Sequence, residues 1–480
     1  MGSIAIALEE KGIPTITLYN ERHEKRFMGT VLPKGYIDYP AINFNEYDTF
    51  TSEGIKALAP EALQFLVKGL TTWKPEYMIL EDGKWVPKEG EFSYSAASYQ
   101  EAQDLFNSSF LRMGWGDGLP LAPPTRERVN ALLKGTPLPP TKVIGRWGPP
   151  NADFTVEKIA IVAAMAGAKP SYMPVILAAL EAIISVPWDA YFPVMRSAVP
   201  LVIVNGPYAK EIGINSSANA FGPNPKYHAN ASIGRAVNLA LATIPGNGRG
   251  LKPSNLAGNP ASYAGIVIAE AEGVASLVSG WEPVSVQLGY SGDTNLVTVL
   301  GVDHMDMSIT GSIANVAACV PPHKDIWPRS REIWEAQYAG ALAVTEMQIV
   351  TAGLMGDANK AGYAQELWEL ARLPIEKFKS LVLTSEFGGP VEPNAFVKSL
   401  LEEPEVIEKG VPVAAAPDKF LVVATSRRSL SVVIPGTLAP AERLAMWIVG
   451  QLRSGQGRPP LRSISRNTRS VGPPGPAATM

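Results

Sequence analysis

The chain has 480 residues, 46% hydrophobic and 18% charged, which provides for a large buried core and excludes wholesale disorder. Its formal charge is −3, and Arg453, Arg458, Arg462, Arg466 and Arg469 concentrate basic charge at the C-terminal end, so the body lacks the broad cationic footprint of a nucleic-acid binder. A single cysteine, Cys319, excludes an internal disulfide and suits a reducing, cytoplasmic compartment; no secretory leader and no apolar run of about 20 residues is visible, so no membrane partner is expected.

In chain order, Ile4, Ala7, Leu8 and Lys11 have the spacing of one or two helical turns, stopped by Gly12. The β-branched run 13–19 (IPTITLY) then reads as a buried strand. A helix leading into a parallel strand normally follows another strand, so this first unit reads as lacking its opening strand. Residues 52–70 have amphipathic periodicity, and Asp82-Gly83 between apolar runs predicts a hairpin over 78–87. A helix is expected over 98–113. The proline-rich segment 120–150 then predicts an extended surface path. Helices follow at 155–166, ended by Gly167, and at 171–185, with Ser171 as cap. Strands are expected at 200–205 (PLVIVN), 266–271 and 297–302, with a helix over 233–243. Further helices are expected at 331–353 and 362–373, and a terminal strand pair at 420–424 and 429–434 around Ser426-Arg427-Arg428.

The alternation of strands and helices predicts an α/β to α+β fold of several domains. The expected units are an N-terminal α/β unit over 1–92, a main ligand-binding domain over 93–375, a C-terminal region over 376–450, and a disordered basic tail over 451–480.

The strongest functional signal is the loop between the strand 200–205 and the helix after it. It carries Asn205, Asn215, Ser216, Ser217, Asn219, His228 and Asn230, with Arg235 just beyond. Ligands of open α/β sheets bind at the carboxyl ends of strands, and amides and hydroxyls there can orient a small polar ligand. Arg235 could neutralise a carboxylate, and Asp117 in the glycine-rich stretch 114–120 (GWGDGLP) could accept a ligand hydrogen bond. The plainer reading is a long loop closed by its own Asx turns. Glu270 and Glu272 at a strand end are acid/base candidates. Asp303 and Asp306 flank His304 and could hold a divalent metal with it or tune it as a general base, with His228 as a further residue of a metal-dependent hydrolase or lyase; a strand-end turn with a hydrogen-bonded histidine is the plainer account. Cys319 lies near His323, but Pro321-Pro322 breaks the helical spacing, so Cys319 reads as a small buried hydrophobe more readily than as a nucleophile. No other cofactor motif is evident.

Several strings occur together: LEEKGIPT (8–15), GDGLPLAPPTRERV (116–129), TVEKIAIVAAMAGAKPSYMP (155–174), PLVIVNGP (200–207), FGP (221–223) and VVIPG (432–436). Together they resemble the UGSC-type (seleno)protein family. The N-terminal unit resembles the selenoprotein B subunits of glycine, betaine and D-proline reductases. The resemblance implies a thiol- or selenol-dependent reductase or lyase acting on a small carboxylate or amine, with a redox partner subunit or a homo-oligomeric assembly. In that family the redox pair precedes the helix leading to GIPT, which here would lie before Met1. A non-catalytic ligand-binding subunit is the alternative from another class.

Overall fold

The computed structural model describes residues 92–112, 115–148, 151–185, 199–217, 219–222, 224–245, 261–273, 278–302, 359–384 and 390–425. Elsewhere it describes shorter pieces: 2–9, 11, 13–19, 41–43, 63–64, 66–67, 69–71, 78–81, 84–87, 306–308, 313–318, 331–336, 340–345, 431–437, 446–448 and 462–464. They form a mixed α/β fold.

The expected opening helix runs over Gly2–Glu9, and the Glu9 carboxylate accepts from the backbone and hydroxyl of Thr15. The following strand shortens to Thr17–Tyr19 and finds a parallel partner downstream, at Ala41–Asn43. The expected hairpin is present as Met78–Glu81 paired antiparallel with Lys84–Pro87, its Asp82-Gly83 turn lying outside the described residues.

The segment 120–150 is not simply extended. It holds a helix over Arg126–Leu133, capped by the Thr125 hydroxyl, and a strand over Val143–Trp147 paired with Ala152–Thr155. Its prolines flank these elements rather than interrupting them, which is where proline is tolerated.

The core is a helical layer on a sheet. The layer comprises α1 (Val156–Met165), capped by Thr155, α2 (Met173–Ile184) and α3 (His228–Thr243). Ser171 does not cap α2. It lies in a 3-10 turn over Pro170–Tyr172 that leads into the helix. Helix α3 begins earlier than the apolar pattern indicates, because its first turns carry His228, Asn230 and Ser232.

Six strands build the part of the sheet that matters here: β1 (Val199–Asn205), β2 (Ile266–Ala269), β3 (Leu296–Val302), β4 (Gly340–Thr345), β5 (Phe420–Thr425) and β6 (Ser431–Thr437). β1 runs parallel to β2 and antiparallel to β3. β3 meets β6, β6 pairs antiparallel with β4, and β4 pairs parallel with β5. Beyond β2, the Ala271 amide donates to the Ala424 carbonyl at 2.8 Å, which ties β5 back to the opposite end of this order and curls the sheet on itself.

Strand periodicity sorts the side chains between the two faces. Val202, Val204, Val267 and Ala269 pack against the helical layer. Val199, Leu201, Ile203, Ile266, Ile268 and Leu300 turn inward, where they meet Val284 and the Leu421 and Val423 side chains of β5. The other face of β5, Phe420, Val422 and Ala424, is covered by Tyr363, Ala364 and Leu367 of α4 (Lys360–Leu370) and by Trp281.

Two sequence expectations change here. Among the described residues of the stretch 331–353, Arg331–Ala336 is helix but Gly340–Thr345 is strand β4; the rest of the stretch lies outside the described residues. A short run of small and apolar residues carries no period that separates a buried strand from a buried helix. The expected terminal strand pair is split, since β4 lies between β5 and β6. Strands from both sides of the expected boundary at 375 therefore share one sheet. Within the basic tail, Arg462–Ile464 pairs with Met446–Ile448. Among the described residues, no helix is long and apolar enough to cross a membrane.

Candidate functional site

The carboxyl ends of β1 and β2 carry a connected polar cluster. β1 ends at Asn205, and the chain then turns through Gly206 at φ 91° into the short helix Pro207–Glu211. A Cβ on Gly206 would lie 2.6 Å from both the Asn295 side-chain oxygen and the Thr294 carbonyl, so glycine is required by space as well as by φ. Asn295 Oδ1 accepts the Tyr208 amide at 2.7 Å, closing that turn onto the start of β3.

Just past β2 stand two carboxylates, Glu270 and Glu272, and the Asn205 amide joins them. Its Nδ2 donates to Glu270 Oε2 at 2.6 Å and to Glu272 Oε1 at 3.0 Å. Glu270 is fully engaged: Oε2 also accepts the Val284 amide at 2.6 Å, and Oε1 accepts Lys360 Nζ at 3.1 Å and the Ala424 amide at 3.2 Å. The Lys360 and Glu270 side chains are 8% and 2% exposed, and Lys360 Nζ also donates to the Glu282 carbonyl at 2.9 Å. One buried carboxylate therefore links β1, β2, β5, α4 and the loop before Val284.

Glu272 is different. Its Oε1 is anchored by the Gly206 amide at 2.6 Å and by Asn205, while Oε2 has no hydrogen-bond partner among the described residues. Burial raises the Glu272 pKa above the ordinary carboxylate range, the two hydrogen bonds oppose that rise, and the Glu270 charge adds to it. Asn205 Oδ1 is buried without a partner among the described residues, as are the hydroxyls of Ser285 and Thr298. An unsatisfied buried polar atom costs about 1–3 kcal/mol, so the unpartnered oxygen inside this cluster asks for a donor.

The residues expected from the Asn205–Asn230 loop do not converge on one cradle. Asn230 is a buried latch: its Nδ2 donates to the carbonyls of Asn215, Ala220 and Val267, and its Oδ1 accepts the Asn215 amide at 2.8 Å. Asn215 Oδ1 closes an Asx turn on the amide and hydroxyl of Ser217, and Asn224 closes another on Lys226. Ser216 is partly buried beside that turn, whereas Asn219 is exposed in the left-handed region at φ 57°. His228 is exposed at the start of α3, its ring 6.2 Å from that of Tyr172. The plainer reading of this loop holds for most of it, and Asn205 at its base is the member that joins the cluster.

Arg235 and Asp117 engage each other. The guanidinium grips the carboxylate through two bonds of 2.7 and 2.9 Å and also reaches the carbonyls of Leu119 and Pro120, clamping the glycine-rich stretch onto α3. Neither is free to serve a ligand. Arg235→Lys, which removes the planar fork, is expected to lower unfolding free energy in urea by about 1 kcal/mol while leaving ligand binding unchanged. Asp303, His304 and Cys319 lie outside the described residues. Asp306 is placed only as backbone, in a strand paired with β6. Among the described residues there is no group of three or more His, Cys, Asp or Glu that could hold a metal.

Sequence reasoning missed Lys360 and Asn295. Lys360 did carry a signal. It opens α4 directly after the Asn359 cap, where the positive end of the helix dipole disfavours a cation, so a lysine there needs an anionic partner. Asn295 carried none, since its role depends on β1 and β3 lying side by side. No family model matches this chain, and no curated protein or solved structure is significantly similar to it.

Proposed function

We propose that this chain is a reductase- or lyase-like protein of the thiol/selenol type, acting on a small polar carboxylate or amine at the carboxyl edge of β1 and β2. Glu272 is the proton-transfer group in this reading. The observation that carries it is the division of labour within that side chain, with Oε1 fixed by Asn205 and Gly206 and Oε2 left open among the described residues. A carboxylate held in one orientation, with its pKa raised by burial, suits general acid–base catalysis. The thiol or selenol half rests on the resemblance to UGSC-type proteins alone. That reading calls for a reducing cytoplasm and for a redox partner subunit or a second copy of the chain.

The test is turnover of a panel of small amines and carboxylates, including glycine, betaine and D-proline, in the presence of a dithiol and followed by NMR. Glu272→Gln is expected to lower turnover by about a hundredfold or more at unchanged thermal stability. Turnover indifferent to Glu272→Gln removes the assignment.

A further inference from the structure

We infer that the ligand taken at the Asn205–Glu272 edge is a primary amine in its ammonium form rather than a carboxylate, an inference that rests on reading this edge as a substrate site. The first argument is charge. The cluster holds two carboxylates, Glu270 and Glu272, against one ammonium, Lys360, and that ammonium already faces Glu270 and the Glu282 carbonyl. A second carboxylate brought to Glu272 would meet like charge, with no free cation beside it among the described residues, and like-charge juxtaposition is strongly disfavoured. Arg235, the cation that would have suited a carboxylate ligand, is held bidentate by Asp117.

The hydrogen-bond inventory points the same way. Around the edge, the Asn205 amide hydrogens and the Gly206, Tyr208 and Val284 amides each already face an acceptor within the cluster. The helix Pro207–Glu211 therefore offers no open anion site at its start. Among the described residues the unfilled groups are acceptors: Glu272 Oε2, whose sister oxygen Oε1 takes both of the side chain's bonds, and Asn205 Oδ1, which is buried and has no partner there. An ammonium brings three donors and the compensating charge. A carboxylate brings neither.

The experiment uses three probes of similar shape, n-propylamine, propionate and propionamide, titrated calorimetrically into the full chain at pH 8. Propylamine is expected to bind at least about tenfold more tightly than propionate, with propionamide between them. Glu272→Gln should weaken propylamine by about tenfold or more, and Glu272→Asp, which keeps the charge, should restore part of the loss. Propionate binding as tightly as propylamine, sensitive to Glu272→Gln, overturns the amine inference while the substrate site survives. Propylamine binding that ignores Glu272→Gln, or no binding by any probe, overturns both.

Discussion

Lys360→Met is expected to lower the free energy of unfolding by about 3–5 kcal/mol, the typical effect of removing one partner from a buried ion pair. Methionine keeps most of the volume of the lysine stem, so the loss reflects charge rather than a cavity. Glu270 would stay buried, at 2% side-chain exposure, without its counter-charge. Three donors remain to it, the Asn205 side chain and the amides of Val284 and Ala424, and these place the effect toward the lower end of that range. Urea unfolding of Lys360→Met, Glu270→Gln and the double variant measures the coupling directly. The double variant, with neither charge of the Lys360–Glu270 pair left, should be more stable than the sum of the single losses implies. A Lys360→Met variant within about 1 kcal/mol of the parent would show that the three remaining donors suffice to hold Glu270.

This pair also explains which parts of the fold could be read from the sequence. Strands β1, β2 and β3 were legible because each is a compact apolar run bounded by turn residues, and their burial in the structure agrees. Strand β4 was hidden because GALAVT suits a helix as well as a strand until β5 and β6 flank it. The cluster was half legible. Asn205, Glu270 and Glu272 lie at strand ends, where a ligand edge of an α/β sheet is sought. Lys360 and Asn295 arrive from 90 and 87 residues downstream of the groups they bond, Glu270 and Tyr208, and only the tertiary fold brings them there. The amide-rich loop stands out by composition, yet Asn215 and Asn224 close turns within it and Asn230 fastens its backbone to β2. Asn and Ser meet the demands of a turn with the same atoms they would offer a ligand, so composition alone cannot separate the two uses.

The pH dependence of stability should carry the signature of a carboxylate outside the site. Glu181 lies on α2 among the core helices, and one of its oxygens, Oε2, is buried without a partner among the described residues. Burial pushes its pKa from the ordinary 4.5 up to about 7, opposed only partly by the Lys142 ammonium. A carboxyl whose pKa is higher folded than unfolded holds its proton more firmly in the native state. Its contribution is fully present below about pH 4.5 and is lost as pH rises through about 7. At roughly 1.4 kcal/mol per unit, and allowing for screening of a partly exposed side chain, the loss amounts to about 2–3 kcal/mol above pH 8. Glu181→Gln mimics the protonated form at every pH. The variant should match the parent near pH 4.5 and exceed it by about 2–3 kcal/mol at pH 8 in urea unfolding. A difference that stays constant between those two pH values would mean that Glu181 titrates normally in the folded chain.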